Sequence, residues 1–132
     1  MANYKVTTTG IPFRESRFTF VGQGIKEADV GKAATIVLAG DANVVKLAAA
    51  NEPILGRIET VEIEMNGSII VNVLMSGGFR LACAKGEVFK VGDTIKPGAT
   101  AGLVAAGTAS TDLRFFVSEP ASDEGFVGVI KL

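Results

Sequence analysis

The residues best able to do chemistry in this chain are two close pairs of carboxylates, Glu62 with Glu64 and Asp123 with Glu124. Glycoside hydrolysis uses two carboxylates that face a substrate from two sides and whose environments separate their pKa values. Glu62 and Glu64 are two residues apart in an alternating stretch, which puts both on one solvated face of a strand. Asp123 and Glu124 lie in a polar stretch typical of a loop. Because exposed carboxylates are much commoner than catalytic ones, we predict no catalytic residue at either pair.

Nucleophilic and metal chemistry is limited by the residue types present. The 132 residues include no His, no Trp and a single Cys, Cys83. Without imidazole, Ser-His and Cys-His catalysis and histidine metal sites are excluded. Cys83 ends an apolar stretch, a setting typical of a small buried side chain, and a lone Cys forms no intrachain disulfide. The glycines form no phosphate-binding loop between a strand and a helix. We expect no enzyme, no metal and no cofactor.

The charge balance argues against two classes of partner. There are 13 basic and 14 acidic residues, for a net charge of −1. This balance gives no electrostatic attraction to nucleic acid or to an anionic membrane, so we expect neither as a partner. Hydrophobic residues make up 48% of the chain, yet no run approaches the ~20 residues of a membrane span. We expect synthesis in a cytoplasm, since no apolar segment of a secretory signal begins the sequence. The apolar surplus indicates surface buried against other chains.

Residues 55–84 form the stretch around which the rest of the chain is organised. Apolar and charged residues alternate before Asn66-Gly67, and 69–75 is nearly continuous in apolar residues. Alternation predicts a half-buried strand, and Asn-Gly between two strands predicts a hairpin. The apolar run predicts a central strand covered on both faces. After Gly77-Gly78, residues 79–83 predict a third strand.

The register of this hairpin follows from its apolar residues. A two-residue loop would place Val61 opposite Asn72 and mix the two faces. A three-residue loop over 65–67 instead places Val61 opposite Val71 and Ile63 opposite Ile69. It also puts Gly67 in the left-handed position of a type I turn with a G1 bulge, where the missing Cβ costs least. We therefore predict the three-residue loop.

The first 32 residues differ from the rest and predict an extended N-terminal arm, followed by one β-domain over 33–132. Four of the nine aromatic residues lie in the first twenty positions, and disordered tails are normally poor in aromatics. The arm is therefore expected to be ordered. One alternative is that it packs on its own domain as an edge strand. The other is that it reaches a neighbouring subunit, adding a strand or inserting Phe13 into a pocket.

Short strand signals separated by Gly, Asp and Pro turns continue to the C-terminus. Beyond the central stretch, strands are predicted over 34–38, 44–47, 88–90, 94–95, 113–117 and 126–130, and residues 100–107 predict one more strand and a loop. Residues 27–30 form at most one helical turn. About nine short strands and no convincing helix predict an all-β fold, a small β-barrel or β-sandwich.

Several short motifs of this chain occur together in a known family of small β-rich proteins. They are 30–33 (VGKA), 47–50 (LAAA), 53–59 (PILGRIE), 78–81 (GFRL), 90–93 (KVGD) and 125–130 (GFVGVI). In these motifs, and in its size, the chain from about Val30 onward resembles the capsid decoration, or head cement, proteins of tailed bacteriophages.

The resemblance implies a structural virion protein and no chemistry. Such proteins bind the outside of the capsid where subunits of the major capsid protein meet, often as trimers, and clamp the shell with an N-terminal arm and loops. We expect the major capsid protein and further copies of this chain as partners, with a homotrimer favoured over a dimer, and the capsid exterior as location. Arm residues expected to contact the partner are Tyr4, Val6, Ile11, Pro12, Phe13, Phe18 and Phe20. Another virion role, in the tail or head–neck region, is the alternative.

A second resemblance concerns residues 91–98 (VGDTIKPG), which are similar to hairpins of biotinyl and lipoyl carrier domains. Those domains need a modifiable Lys at an exposed hairpin tip within a fixed local pattern. The tip predicted here, 65–67, has no Lys, and Lys85 and Lys90 lack the surrounding pattern. The Gly-Asp turn is therefore interpreted as a tight turn of the kind common between the short strands of a barrel.

Overall fold

The computed structural model describes residues 16–37, 43–107, 115–122 and 124–131. These ranges contain nine β-strands and a single 3-10 turn, Glu27–Asp29. The strands are β1 (Ser16–Gly22), β2 (Ala33–Ile36), β3 (Val44–Leu47), β4 (Gly56–Ile63), β5 (Ile69–Ala82), β6 (Ile95–Pro97), β7 (Val104–Ala106), β8 (Phe115–Glu119) and β9 (Phe126–Lys131). The all-β prediction is confirmed.

Five of the strands close into a barrel. The large sheet has the order β1-β3-β2-β4-β5-β9-β8, and β1 pairs with β5 as well as with β3. The β1–β3 pair is parallel, and the β1–β5 pair is antiparallel. Apolar side chains fill the interior, among them Phe20, Ile25, Val45, Ile58 and Val71. Closure gives most strands of this barrel a partner on both sides, which limits exposed sheet edges.

Strand β5 belongs to the barrel and to a second layer. Its first part pairs with β1 and β4, and Gly77–Ala82 pairs with β9, which in turn pairs with β8. The prediction of two strands, 69–75 and 79–83, is wrong in this respect, because the chain continues through Gly77 as one strand of 14 residues. Gly77 has a φ of +110°, a conformation that glycine takes without steric cost. The strand therefore changes partners there without ending.

A second core lies between this extension and the β6–β7 hairpin. It contains Leu74, Phe79, Leu81, Val117 and Val129. Val73 is buried in the barrel core and its neighbour Leu74 in the second core. Alternate residues of one strand thus serve both cores, which confirms the prediction of a central strand covered on both faces.

The loop between β5 and β6 replaces the short strand predicted over 88–90. Phe89 is buried in the second core, while Val88 on one side and Val91 on the other are exposed. The apolar character of the segment reflects one inserted side chain rather than a ladder of backbone hydrogen bonds.

The predicted hairpin register is confirmed. Val61 pairs with Val71 and Ile63 with Ile69. The Glu64 amide donates to the Ser68 carbonyl at 2.8 Å, and the Gly67 amide donates to the Glu64 carbonyl at 2.9 Å. Gly67 has a φ of +87°, the left-handed conformation required by a three-residue loop.

Residues 16–32 are part of the barrel. Strand β1 pairs with β5 from Ser16 opposite Ser76 to Val21 opposite Ile70, so the β-domain begins no later than Ser16 rather than at residue 33. The alternation of Phe18 and Phe20 with polar neighbours is the sequence pattern typical of a strand. Residues 1–15 lie outside the described residues.

Candidate interaction surfaces

Phe18 is the one described residue of the predicted contact set that offers a large exposed surface. Its side chain is 56% exposed, whereas Phe20, two residues on, is 9% exposed and belongs to the barrel core. The two occupy the same face of β1 by alternation. Phe20 is therefore a core residue, and we remove it from the contact set. The other five residues of that set lie outside the described residues: Tyr4, Val6, Ile11, Pro12 and Phe13.

A second exposed apolar area lies at the tip of the β4–β5 hairpin. We define the hairpin surface as Glu62, Ile63, Glu64 and Met65. Ile63 is 51% exposed and Met65 is fully exposed, and both carboxylate residues are exposed. The hairpin register predicted from the sequence is right, but Ile63 lies beyond the end of the barrel core. The hairpin therefore projects apolar and acidic side chains together.

A third exposed apolar area follows β5 at its other end. We define the loop surface as Lys85, Val88, Lys90 and Val91. Val88 is 75% and Val91 67% exposed, and both lysines are exposed.

The loop that carries this surface is held in place by hydrogen bonds as well as by buried Phe89. The Gly92 amide donates to the Val117 carbonyl at 2.8 Å, and the Val117 amide donates to the Asp93 carbonyl at 2.7 Å. The Asp93 carboxylate also accepts from the Lys90 amide at 2.9 Å. The loop surface is thus presented by an anchored backbone rather than a free one.

The candidate carboxylates are not assembled into a catalytic pair in the described residues. Glu62, Glu64 and Glu124 are exposed, and Asp123 lies outside the described residues. Glu119 is buried at the end of β8 and pairs with Arg80, 3.5 Å away. The described ranges contain no group of three or more acidic or Cys residues placed to hold a metal.

Two buried groups, Cys83 and Asp29, have shifted pKa values for reasons the structure shows. Burial raises the pKa of the Cys83 thiol, and the charge of Glu87 adds to the shift, so this thiol is a poor nucleophile. Burial opposes ionisation of Asp29, but hydrogen bonds from Lys32 Nζ and from the Lys26 amide outweigh it and lower the pKa of the carboxyl. Cys83 lies in the second core, as predicted for a small buried side chain.

A cleft of about 780 Å³ lies between residues 50–54 and β6, a feature that no sequence motif indicated. Two charged side chains of its lining, Lys131 and Glu52, are engaged within the chain. Lys131 Nζ donates to the Leu55 carbonyl at 2.6 Å and lies 5.1 Å from the Phe115 ring centre. Glu52 pairs with Lys46 at 2.9 Å. The cleft therefore offers apolar surface together with charged side chains of which these two already have partners.

Comparisons with protein families, with curated proteins and with solved structures found no match to this chain. The helical part of the described ranges is one turn of three residues, and no helix there is long and apolar enough to cross a membrane.

Proposed function

We propose that this protein is a non-enzymatic structural component of a tailed-bacteriophage virion that binds the outer capsid surface and stabilises the shell of major capsid protein. The sequence resemblance suggests this role, and the all-β architecture agrees with it. Further copies of the chain are the second partner, with a homotrimer as the expected assembly.

The observation that carries the proposal is the exposed Phe18. Strand β1 pairs with β5 from Ser16 to Val21, so the backbone under this ring is fixed before any partner binds. Aromatic side chains on fixed backbones lose little entropy on binding and tend to dominate interface energies. Strand β1 begins two positions before Phe18, and the other expected contact residues precede it in the sequence.

Strong binding at a single site is not required for this function. A standard interface buries ~800 Å² on each partner. Repetition of that contact around an oligomer and across a shell multiplies affinity through effective concentration. Moderate contacts by the arm and Phe18 would then be enough to resist dissociation.

Two other functions give different measurable results. A tail or head–neck protein would be present in a few copies per particle, whereas a decoration protein is present in hundreds. A biotinyl or lipoyl carrier would show added mass on one Lys. The hairpin tip at Met65 carries no Lys, which supports the decoration function over the carrier function.

The contact is tested by replacing Phe18. We expect Phe18→Ser to weaken co-sedimentation with capsids of the source virus by about tenfold or more, as for loss of an aromatic anchor, with the thermal unfolding midpoint nearly unchanged. Val30→Ser is the matched control, because Val30 is also apolar and 43% exposed but lies after the 3-10 turn. Equal capsid binding by Phe18→Ser and the wild-type protein would contradict the proposed contact.

The arm is tested by a deletion that spares β1. Removing residues 2–20 would take most of β1, including Phe20, from the barrel. Loss of capsid binding by that variant would then reflect unfolding and not the loss of the arm. Removing residues 2–15 leaves every described strand intact.

A further inference from the structure

We infer that copies of this chain associate head to tail, with the hairpin surface of one copy packed against the loop surface of the next. The inference deepens the proposed self-association by naming its two surfaces. It does not depend on the capsid, so its failure would leave capsid binding untouched.

The two surfaces lie at opposite ends of β5. The hairpin surface precedes Ile69, and the loop surface follows Ala82. At about 3.3 Å per residue, 14 residues of strand span up to roughly 45 Å. Within one chain, the apolar side chains of both surfaces remain exposed. A neighbouring copy can cover either surface with its own complementary one, because each copy carries one of each.

The charges around the two surfaces are opposite. The hairpin surface carries Glu62 and Glu64, with no Lys or Arg from 60 to 68. The loop surface carries Lys85 and Lys90. Contact between two hairpin surfaces would bring four carboxylates together, whereas contact between a hairpin surface and a loop surface pairs acidic with basic side chains around apolar centres.

The acidic residues of the loop differ from its lysines in being bonded to the protein's own backbone. A Glu87 carboxylate oxygen accepts from the Ala106 amide at 3.4 Å, and a carboxylate oxygen of Asp93 accepts from the Lys90 amide at 2.9 Å. Both carboxylates are half-buried against the protein's own backbone. The fully exposed charged side chains of the loop surface are therefore the two lysines, flanked by two half-buried carboxylates that keep their charge.

A contact between two different surfaces has a consequence for symmetry. Such a contact is heterologous, and its repetition closes a ring when the rotation between copies divides a full turn. Repetition that does not close continues as an open filament, and the trimer expected from the resemblance requires the closed ring. Such a ring would leave Phe18, which belongs to neither surface, available for the capsid.

The direction of the contact is tested by blocking one surface at a time in the full-length protein. The hairpin variant is Ile63→Lys with Met65→Lys, and the loop variant is Val88→Glu with Val91→Glu. All four side chains are at least half exposed, so both variants should fold. In sedimentation velocity, we expect each variant alone to self-associate roughly 100-fold more weakly than wild type. An equimolar mixture should regain association, because it contains one intact hairpin surface and one intact loop surface.

The outcomes separate the alternatives. Association of either variant alone at the wild-type strength would overturn the inference. A lack of association in both the wild-type protein and the mixture would also overturn it. The control Val30→Lys should associate as wild type does, and a loss of association there equal to that of the two variants would also overturn it.

A second measurement detects the contact on capsids as well as in solution. With Cys83 buried, Met65→Cys combined with Val88→Cys should form disulfides between copies under mild oxidation, whereas either substitution alone should not. Cross-linking of Met65→Cys alone, without Val88→Cys, would show a hairpin-to-hairpin contact and contradict the head-to-tail arrangement.

Discussion

At the scale of single residues, Asp29 shows how the 3-10 turn between β1 and β2 is held in its conformation. Its carboxylate accepts from the Lys26 amide and from Lys32 Nζ, both at 2.8 Å. The residue is 6% exposed, so burial opposes the charge, and the two hydrogen bonds more than offset that cost and lower the pKa of the carboxyl. The ionised carboxylate therefore connects the 3-10 turn to the strand that follows.

The depressed pKa of Asp29 predicts a pH-dependent contribution to stability. For an acid whose pKa is lower in the folded state, the stabilisation is complete above the unfolded-state pKa, near 4, and is lost as pH falls through the folded value. We expect Asp29→Asn to lower the free energy of unfolding by about 1 kcal/mol at pH 7, with the difference from wild type shrinking below about pH 4.

Urea denaturation of both proteins at pH 7 and pH 2.5 measures this difference. Glu27→Gln is the matched control, because Glu27 belongs to the same turn but is exposed. An Asp29→Asn difference that is the same at both pH values would contradict the assignment.

At the scale of strands, Gly56 at the start of β4 and Gly67 in the loop after it are required for different physical reasons. A Cβ at Gly56 would overlap the carbonyl oxygen of Leu74 on the neighbouring strand, whereas a Cβ at Gly67 would meet nothing within 4 Å. Gly67 has a φ of +87°, so a substitution there costs backbone strain alone. The first glycine permits close packing of two strands, and the second permits a turn.

We therefore expect Gly56→Ala to destabilise the protein much more than Gly67→Ala does. The Gly67 substitution should cost about 1 kcal/mol. The Gly56 substitution should cost about 3 kcal/mol or more, because the strands must separate. Urea denaturation measures the free energy of unfolding of each variant. Similar values for the two variants would contradict the close approach of β4 and β5.

The strands also show how far the sequence predicts the fold. The pairing of Val61 with Val71 followed from keeping apolar residues opposite one another, since a one-residue slip reverses every side chain. The continuity of β5 was missed because Gly77-Gly78 has the composition of a turn. Only its pairing with β9 on the far side shows that the strand goes on. Local composition contains no information on that partner.

The candidate site was less predictable than the strands. Phe18 and Phe20 have the same type and the same local spacing, yet one is exposed and the other is in the core. The parallel pairing of β1 with β3 involves only Val21 and Gly22, so Phe20 lies nearer to this closure of the barrel than Phe18 does. Parallel pairing between segments far apart in the sequence has no local signal. The hairpin and loop surfaces were also missed, because exposure of Met65 and Val88 depends on where the cores end.

At the scale of the whole molecule, β5 unites two cores into one body. Val73 is buried in the barrel core and Leu74 in the second core. A displacement of β5 would disturb both, so the hairpin surface and the loop surface are held at a fixed separation. A fixed separation suits a protein that forms regular contacts with identical neighbours on a shell.

The central claim is that many copies of this protein bind the capsid exterior without chemical modification. The most direct test is co-sedimentation of the purified full-length protein with capsids of its source virus, with the bound copies counted and their intact mass measured. The proposed function predicts saturable binding of hundreds of copies per capsid, each at the unmodified mass of about 13.7 kDa. No binding, binding of only a few copies, or a covalent adduct on one Lys would contradict it.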